Sequence, residues 1–262
     1  MVLLLPIALL LMTAVSIAFV AGTSRLFNPY VAALVFLLFA LSGEQPFSHE
    51  VFYAALLIHV WCLYLYMKGS LFWTSFFVSC ASLLYPPLIC FFPLLATALL
   101  FLENGDIARN FVKITGGFFL PYLYILVFMF LFTDSVTEYL WDVWYGISEI
   151  GLPRLAYSLP EIALAICTAF VLLHIFATVF KNFIEHSDRM LLRISGAVLL
   201  FAFIVFILFS ERELFEARLF FATAFSLMFS FHYKNIRRGS ANAELVLLAI
   251  LSLITAAGRF LI

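Results

Sequence analysis

Charge is what this chain has least of. Only 11% of its 262 residues are Asp, Glu, Lys or Arg, against about 25% in soluble domains. From Leu71 to Leu102 there is no charged residue at all, a run of 32 positions. Cysteine is also scarce, and Cys62, Cys80, Cys90 and Cys167 all fall in apolar segments, where thiols are packing residues and no disulfide framework arises. The five histidines lie far apart without paired metal-ligand spacing, so the sequence names no metal and no cofactor. A net charge of −1 leaves no basic patch, which excludes nucleic acid as a partner. There is no P-loop, nucleophile elbow, HExxH or dinucleotide fingerprint. No internal repeat, low-complexity tract or soluble segment stands out, so 1–262 reads as one transmembrane domain.

What is abundant is apolar surface. Hydrophobic residues make up 66% of the chain, 33 of them Phe, and mean hydropathy is +1.14. Such a chain cannot clothe itself in polar groups, so its solvent is a lipid bilayer. The expected fold is all-α and polytopic, with about ten transmembrane helices near 2–21, 28–42, 50–66, 70–85, 87–102, 116–133, 159–180, 194–210, 217–232 and 244–261. The first segment lacks the positive leader of a signal peptide and reads as a spanning helix. The uncharged run after Ser70 is too long for one span and about right for two. Pro86 and Pro87 remove two adjacent donors and push the residues before them out of helical conformation. They predict a turn between two short helices.

The basic residues agree with that count. Arg25, Lys68, Arg109, Lys113, Lys181, Arg189, Arg193, Lys234, Arg237 and Arg238 fall on one side, and Arg154, Arg212, Arg218 and Arg259 on the other. The richer side is cytoplasmic. Were the proline pair a mere kink, every later loop would change sides and the split would nearly vanish. Ten of the fifteen acids then collect on the outer face.

Three outer segments are candidates for chemistry. In the sixth loop Val136, Leu140, Val143, Trp144 and Ile147 recur at helical spacing, with Asp134, Glu138 and Asp142 on another face. That is an amphipathic helix lying in the interface, with Trp141, Trp144 and Tyr145 at headgroup depth. Its acids could hold a cation or activate an acceptor, or form a solvated face with Arg154. In Leu41–Glu50, Glu44 and His49 could meet substrate, or Ser48 and Glu50 could simply start a helix. In Ser210–Arg218, Arg212 or Arg218 could grip a phosphate, or pair locally with Glu211, Glu213 and Glu216. Within the spans, His59 and His174 lie near mid-membrane, where an ionisable group is a functional hypothesis; bonding to a neighbouring helix accounts for them equally. No run of buried acids accompanies them, which argues against a proton-coupled pump. At Gly116, Gly117 and Pro121 close packing is the expected role.

The run FWTSFFVSCASLLYPPLICFFPLLATALLFL, followed by IARNFVKITGGFFLPYLYI, resembles an uncharacterised family of multi-pass inner-membrane proteins of Bacteroidota. More remotely, GEQPFSHE, a span, a short basic turn, a span ending in Tyr-Pro and a further span resemble GT-C glycosyltransferases. That resemblance implies a bacterial inner-membrane protein of envelope glycan or lipid-linked sugar metabolism, acting at the outer face on a polyprenyl-phosphate-linked substrate. It assigns no catalytic residue, because the first loop carries only Arg25. The residues to bind substrate would be Glu44, His49, Glu138, Asp142, Arg154 and Arg212. A non-enzymatic subunit that scaffolds an envelope or secretion assembly with a membrane-protein partner is the second class. A small-molecule or lipid transporter is the third.

Overall fold

The computed structural model describes residues 4–42, 50–90, 92, 107–132, 136–148, 159–186, 214–236 and 238–260. Every regular element among them is helical: α1 Leu4–Gly22, α2 Pro29–Leu41, α3 Glu50–Met67, α4 Leu71–Leu84, a short 3-10 helix Pro86–Cys90, α5 Ile107–Phe132, α6 Val136–Ser148, α7 Leu159–His186, α8 Leu214–Asn235 and α9 Arg238–Phe260. Four stretches, Leu5–Gly22, Ile107–Phe132, Leu159–Lys181 and Gly239–Gly258, are long and apolar enough to cross a membrane. Helices α2 to α4 are apolar but shorter. The all-helical membrane class therefore stands, while the span expected at 194–210 lies outside the described residues, as does the one at 87–102 apart from 87–90, which belong to the 3-10 helix, and 92.

The chain groups into two compact units, Met1–Ser48 with Pro153–Ile262, and His49–Leu152. In the first, α8 is the central helix. From Leu219 to His232 it is buried on every side, as a helix apolar all round must be. Its Thr223, Ser226 and Ser230 hydroxyls bond back to Phe220, Thr223 and Leu227 carbonyls at 2.6–2.9 Å, which satisfies them without water. Phe39 of α2 meets Phe221 and Phe225 edge-on, at 6.3 and 5.3 Å between ring centres. Asn28 starts α2, its Oδ1 accepting from the Tyr30 and Val31 amides, with Pro29 at the first helical position.

In the second unit α3 and α4 form an antiparallel hairpin. Gly69, at φ 73°, closes α3 with a Ser70 N–H to Leu65 carbonyl bond and a Gly69 N–H to Tyr66 carbonyl bond, both 3.0 Å. Further along, Cys62 reaches the Thr74 carbonyl, and Phe52 meets Tyr85. Helix α4 stops where the prolines demand it, with Tyr85 extended. Gly117 of α5 abuts Phe72 so closely that a Cβ there would lie 2.4 Å from the Phe72 carbonyl oxygen. Ser82 and Tyr122 share a hydrogen bond of 2.8 Å farther along both helices, so α4 and α5 run in the same sense. That sense is what the two-span reading of the uncharged run requires.

A His–Glu–His cluster at the candidate functional site

Helices α7, α8 and α9 each bring one ionisable side chain to a common point. His174 lies in the middle of α7, with Thr178 one turn later on the same face. His232 occupies the last turn of α8. The chain turns at Ile236 and enters α9 at Arg238, which sets Glu244 in the second turn, beside His232. Tyr233 secures this corner by donating to Asn242 Oδ1 at 2.7 Å, and the Lys234 ammonium bonds the Arg25 carbonyl.

Glu244 spans the two imidazoles. Its Oε1 lies 2.6 Å from His174 Nδ1 and its Oε2 lies 2.9 Å from His232 Nε2. The rings meet edge to face with centres 4.6 Å apart. The Thr178 hydroxyl donates to the His174 carbonyl and lies 3.0 Å from His232 Nδ1. The hydroxyl can accept from Nδ1–H with its proton on that carbonyl, or donate to Nδ1. In the first tautomer the 2.9 Å contact between Nε2 and the carboxylate needs a shared proton, and in the second Nε2–H donates to Glu244 Oε2. His232 is wholly buried, the Glu244 side chain is 18% exposed and His174 43%, so the cluster is most exposed at His174.

A second polar contact joins α7 and α8. Arg218 Nη1 lies 3.4 Å from Glu161 Oε1, and both residues stand near the starts of their helices. With the histidine contact near the far end of α8, this makes α7 and α8 parallel. The two contacts stand about 21 Å apart along α8 at 1.5 Å per residue. On the orientation expected from the basic residues, Arg218 and Glu161 belong to the outer end and the histidine cluster to the cytoplasmic half.

The sequence-predicted residues do not converge among the described ones. Glu138 and Asp142 lie exposed on α6, the helix expected in the sixth loop, and neither forms an ion pair with a described residue. Leu140, Trp141, Trp144 and Tyr145 are exposed on the same helix. Tyr139 turns its hydroxyl inward, where burial, reinforced by Tyr122, pushes the phenol up to about 12. Glu44, His49, Arg154 and Arg212 lie outside the described residues. His59 is buried in α3. Arg218 pairs with Glu161 across helices.

His232 and Glu244 escape the sequence reading because hydropathy places span ends at 232 and 244. The helices run on to Asn235 and begin at Arg238, so both residues lie inside helix, His232 in the last turn of α8 and Glu244 in the second turn of α9. A lone acid followed at once by Leu-Val-Leu-Leu, six residues after a basic turn, is the signal that points to Glu244. No protein-family description, curated protein or solved structure matches this chain.

Proposed function

We propose that the protein is a small-molecule or lipid transporter whose working centre is the His174–Glu244–His232 cluster. The carrying observation is the meeting of three ionisable side chains from three helices, two of which contain long apolar stretches. Ionisable groups in such segments are costly, and pairing there marks substrate or ion pathways. Glu244 supplies the acid that the sequence reading found missing beside His174. The exposed His174 side gives a substrate a way in, and the buried His232 side holds the cation in place. Loading and release of that cation would couple to movement of the substrate.

The second reading keeps the GT-C likeness: a protein of envelope glycan or lipid-linked sugar metabolism in a bacterial inner membrane, handling a polyprenyl-phosphate-linked substrate at the outer face. The exposed acids and interfacial aromatics of α6 favour it. One experiment separates the two. Cells lacking the gene are complemented with the wild type, with Glu244→Gln, or with Glu138→Gln plus Asp142→Asn, and the lipid-linked sugars and surface glycans are profiled. The transport reading expects Glu244→Gln to fail while the α6 variant restores the wild-type state. The reverse pattern would replace it with the outer-face reading.

A further inference from the structure

We infer that the cluster is a binding site for a divalent transition-metal ion of the zinc class, with His174 Nδ1, His232 Nε2 and a Glu244 carboxylate oxygen as ligands. The inference uses the centre assigned to transport above, but metal binding can be established without any transport. All three ligand atoms lie within 4.8 Å of one another. A tetrahedral ion with bonds of about 2.0–2.2 Å holds its ligands about 3.3 Å apart. The two carboxylate contacts, at 2.6 and 2.9 Å, are shorter than that. Rotation of the glutamate and His174 side chains, with the three helices left where they are, would open them to the required spacing.

The donor set selects the ion. Two neutral imidazoles and one carboxylate suit zinc and its first-row neighbours, whereas magnesium and calcium favour all-oxygen sites. Three protein ligands leave one tetrahedral position for water or substrate, the pattern of reactive zinc sites as opposed to closed structural ones. Here that position falls to the exposed His174 side.

The surroundings supply a second, independent indication. A metal-bound histidine typically hands its other ring N–H to an oxygen that fixes the tautomer. Thr178 does this for His232: it bonds the His174 carbonyl and meets His232 Nδ1 at 3.0 Å, leaving Nε2 free to ligate. One α7 turn therefore carries both a ligand and the group that orients a second ligand on α8. A shared proton would satisfy the Nε2–carboxylate contact alone. It would not call for a second imidazole on the same carboxylate.

The test uses the full chain purified in detergent, stripped with a chelator and titrated with Zn²⁺ and with Co²⁺ as a spectroscopic probe. The expected result is one metal ion per chain and Co²⁺ absorption of the intense, tetrahedral kind. His174→Ala and Glu244→Gln should each weaken binding at least tenfold, and Thr178→Val by roughly 10–100-fold, while His59→Ala leaves it unchanged. Substoichiometric metal, an octahedral Co²⁺ spectrum, or unaltered affinity in the ligand variants would overturn the inference and leave the cluster to a proton. Should a variant fail to fold, the wild-type stoichiometry and Co²⁺ spectrum decide. Metal-free protein together with failed complementation by Glu244→Gln removes the metal and keeps the transport reading. Bound metal together with full complementation does the opposite.

Discussion

Thr178 Oγ1 and His232 Nδ1 stand 3.0 Å apart, a hydroxyl on α7 against an imidazole in the last turn of α8. Because Thr178 also bonds the His174 carbonyl one turn back, the hydroxyl is held at both ends and the His232 ring is held with it. Removing the oxygen should therefore loosen His232 without removing a ligand. Thr178→Val, which keeps the shape, is expected to weaken Zn²⁺ retention, and Thr178→Ser should recover most of it. Chelator competition on the three purified proteins reads this directly. Equal retention in Val and wild type would mean that the hydroxyl orients nothing.

Gly117 sits where α5 touches the α4 backbone, and Gly116, one position earlier, faces open space. The pair makes an internally controlled test of close packing. A Cβ at Gly117 would lie 2.4 Å from a carbonyl oxygen, and backbone cannot swing aside as a side chain can. Gly117→Ala should cost about 1–3 kcal/mol as an overpacked contact, visible as a lower melting temperature in detergent. Gly116→Ala should be neutral, or slightly stabilising through the reduced freedom of the unfolded chain. If both variants melt together, α4 and α5 do not approach as described.

The corner at Gly69 makes a separate prediction about α3. Its φ of 73° is left-handed, and an L side chain pays about 1–2 kcal/mol to adopt it. Gly69→Ala should lower thermal stability by that amount. Asn28→Ala at the start of α2 should cost about 1 kcal/mol, because the Tyr30 and Val31 amides lose their acceptor. Asn28 bonds Tyr30 and Val31 while Gly69 bonds Tyr66, so the double variant should show the sum. A clearly larger or smaller combined loss would be evidence against independent corners.

The class of fold was legible because it depends on quantities a sequence displays: the scarcity of charge, the length of apolar runs, the proline pair that ends α4, and the period of Glu138 and Asp142 on α6. The candidate site was not. His174, His232 and Glu244 are 58 and 12 positions apart along the chain, and no local spacing joins ligands carried on three helices. The signal was further masked at the span ends. Hydropathy averages fade toward a polar turn, whereas a helix continues as long as its backbone bonds do. His232 and Glu244 both fall in that interval. Gly117 shows the opposite case, a residue whose packing role was read from type alone and met in the contact with Phe72.

The sense of the helices turns the charge-based topology into a labelling experiment. Lys68 precedes α4 and Lys113 lies in the second turn of α5, and both are exposed. Since α4 and α5 run in the same sense, the two lysines belong on one side of the membrane. A single kinked span from Ser70 to Glu103 would place them on opposite sides. Within the other unit, Lys181 on α7 and Lys234 on α8 are likewise paired by parallel helices. Each lysine is changed to Cys, one at a time, on a background from which the four native cysteines have been removed. Intact cells are then treated with a membrane-impermeant maleimide. All four positions should stay unlabelled until the membrane is permeabilised, if the richer basic side faces the cytoplasm as the charge rule expects. Labelling of Lys68→Cys but not Lys113→Cys in intact cells would refute the turn at Pro86 and Pro87. Labelling of all four would keep the turn and invert the orientation, which would put the histidine cluster in the outer half of the bilayer and the Arg218–Glu161 pair in the inner.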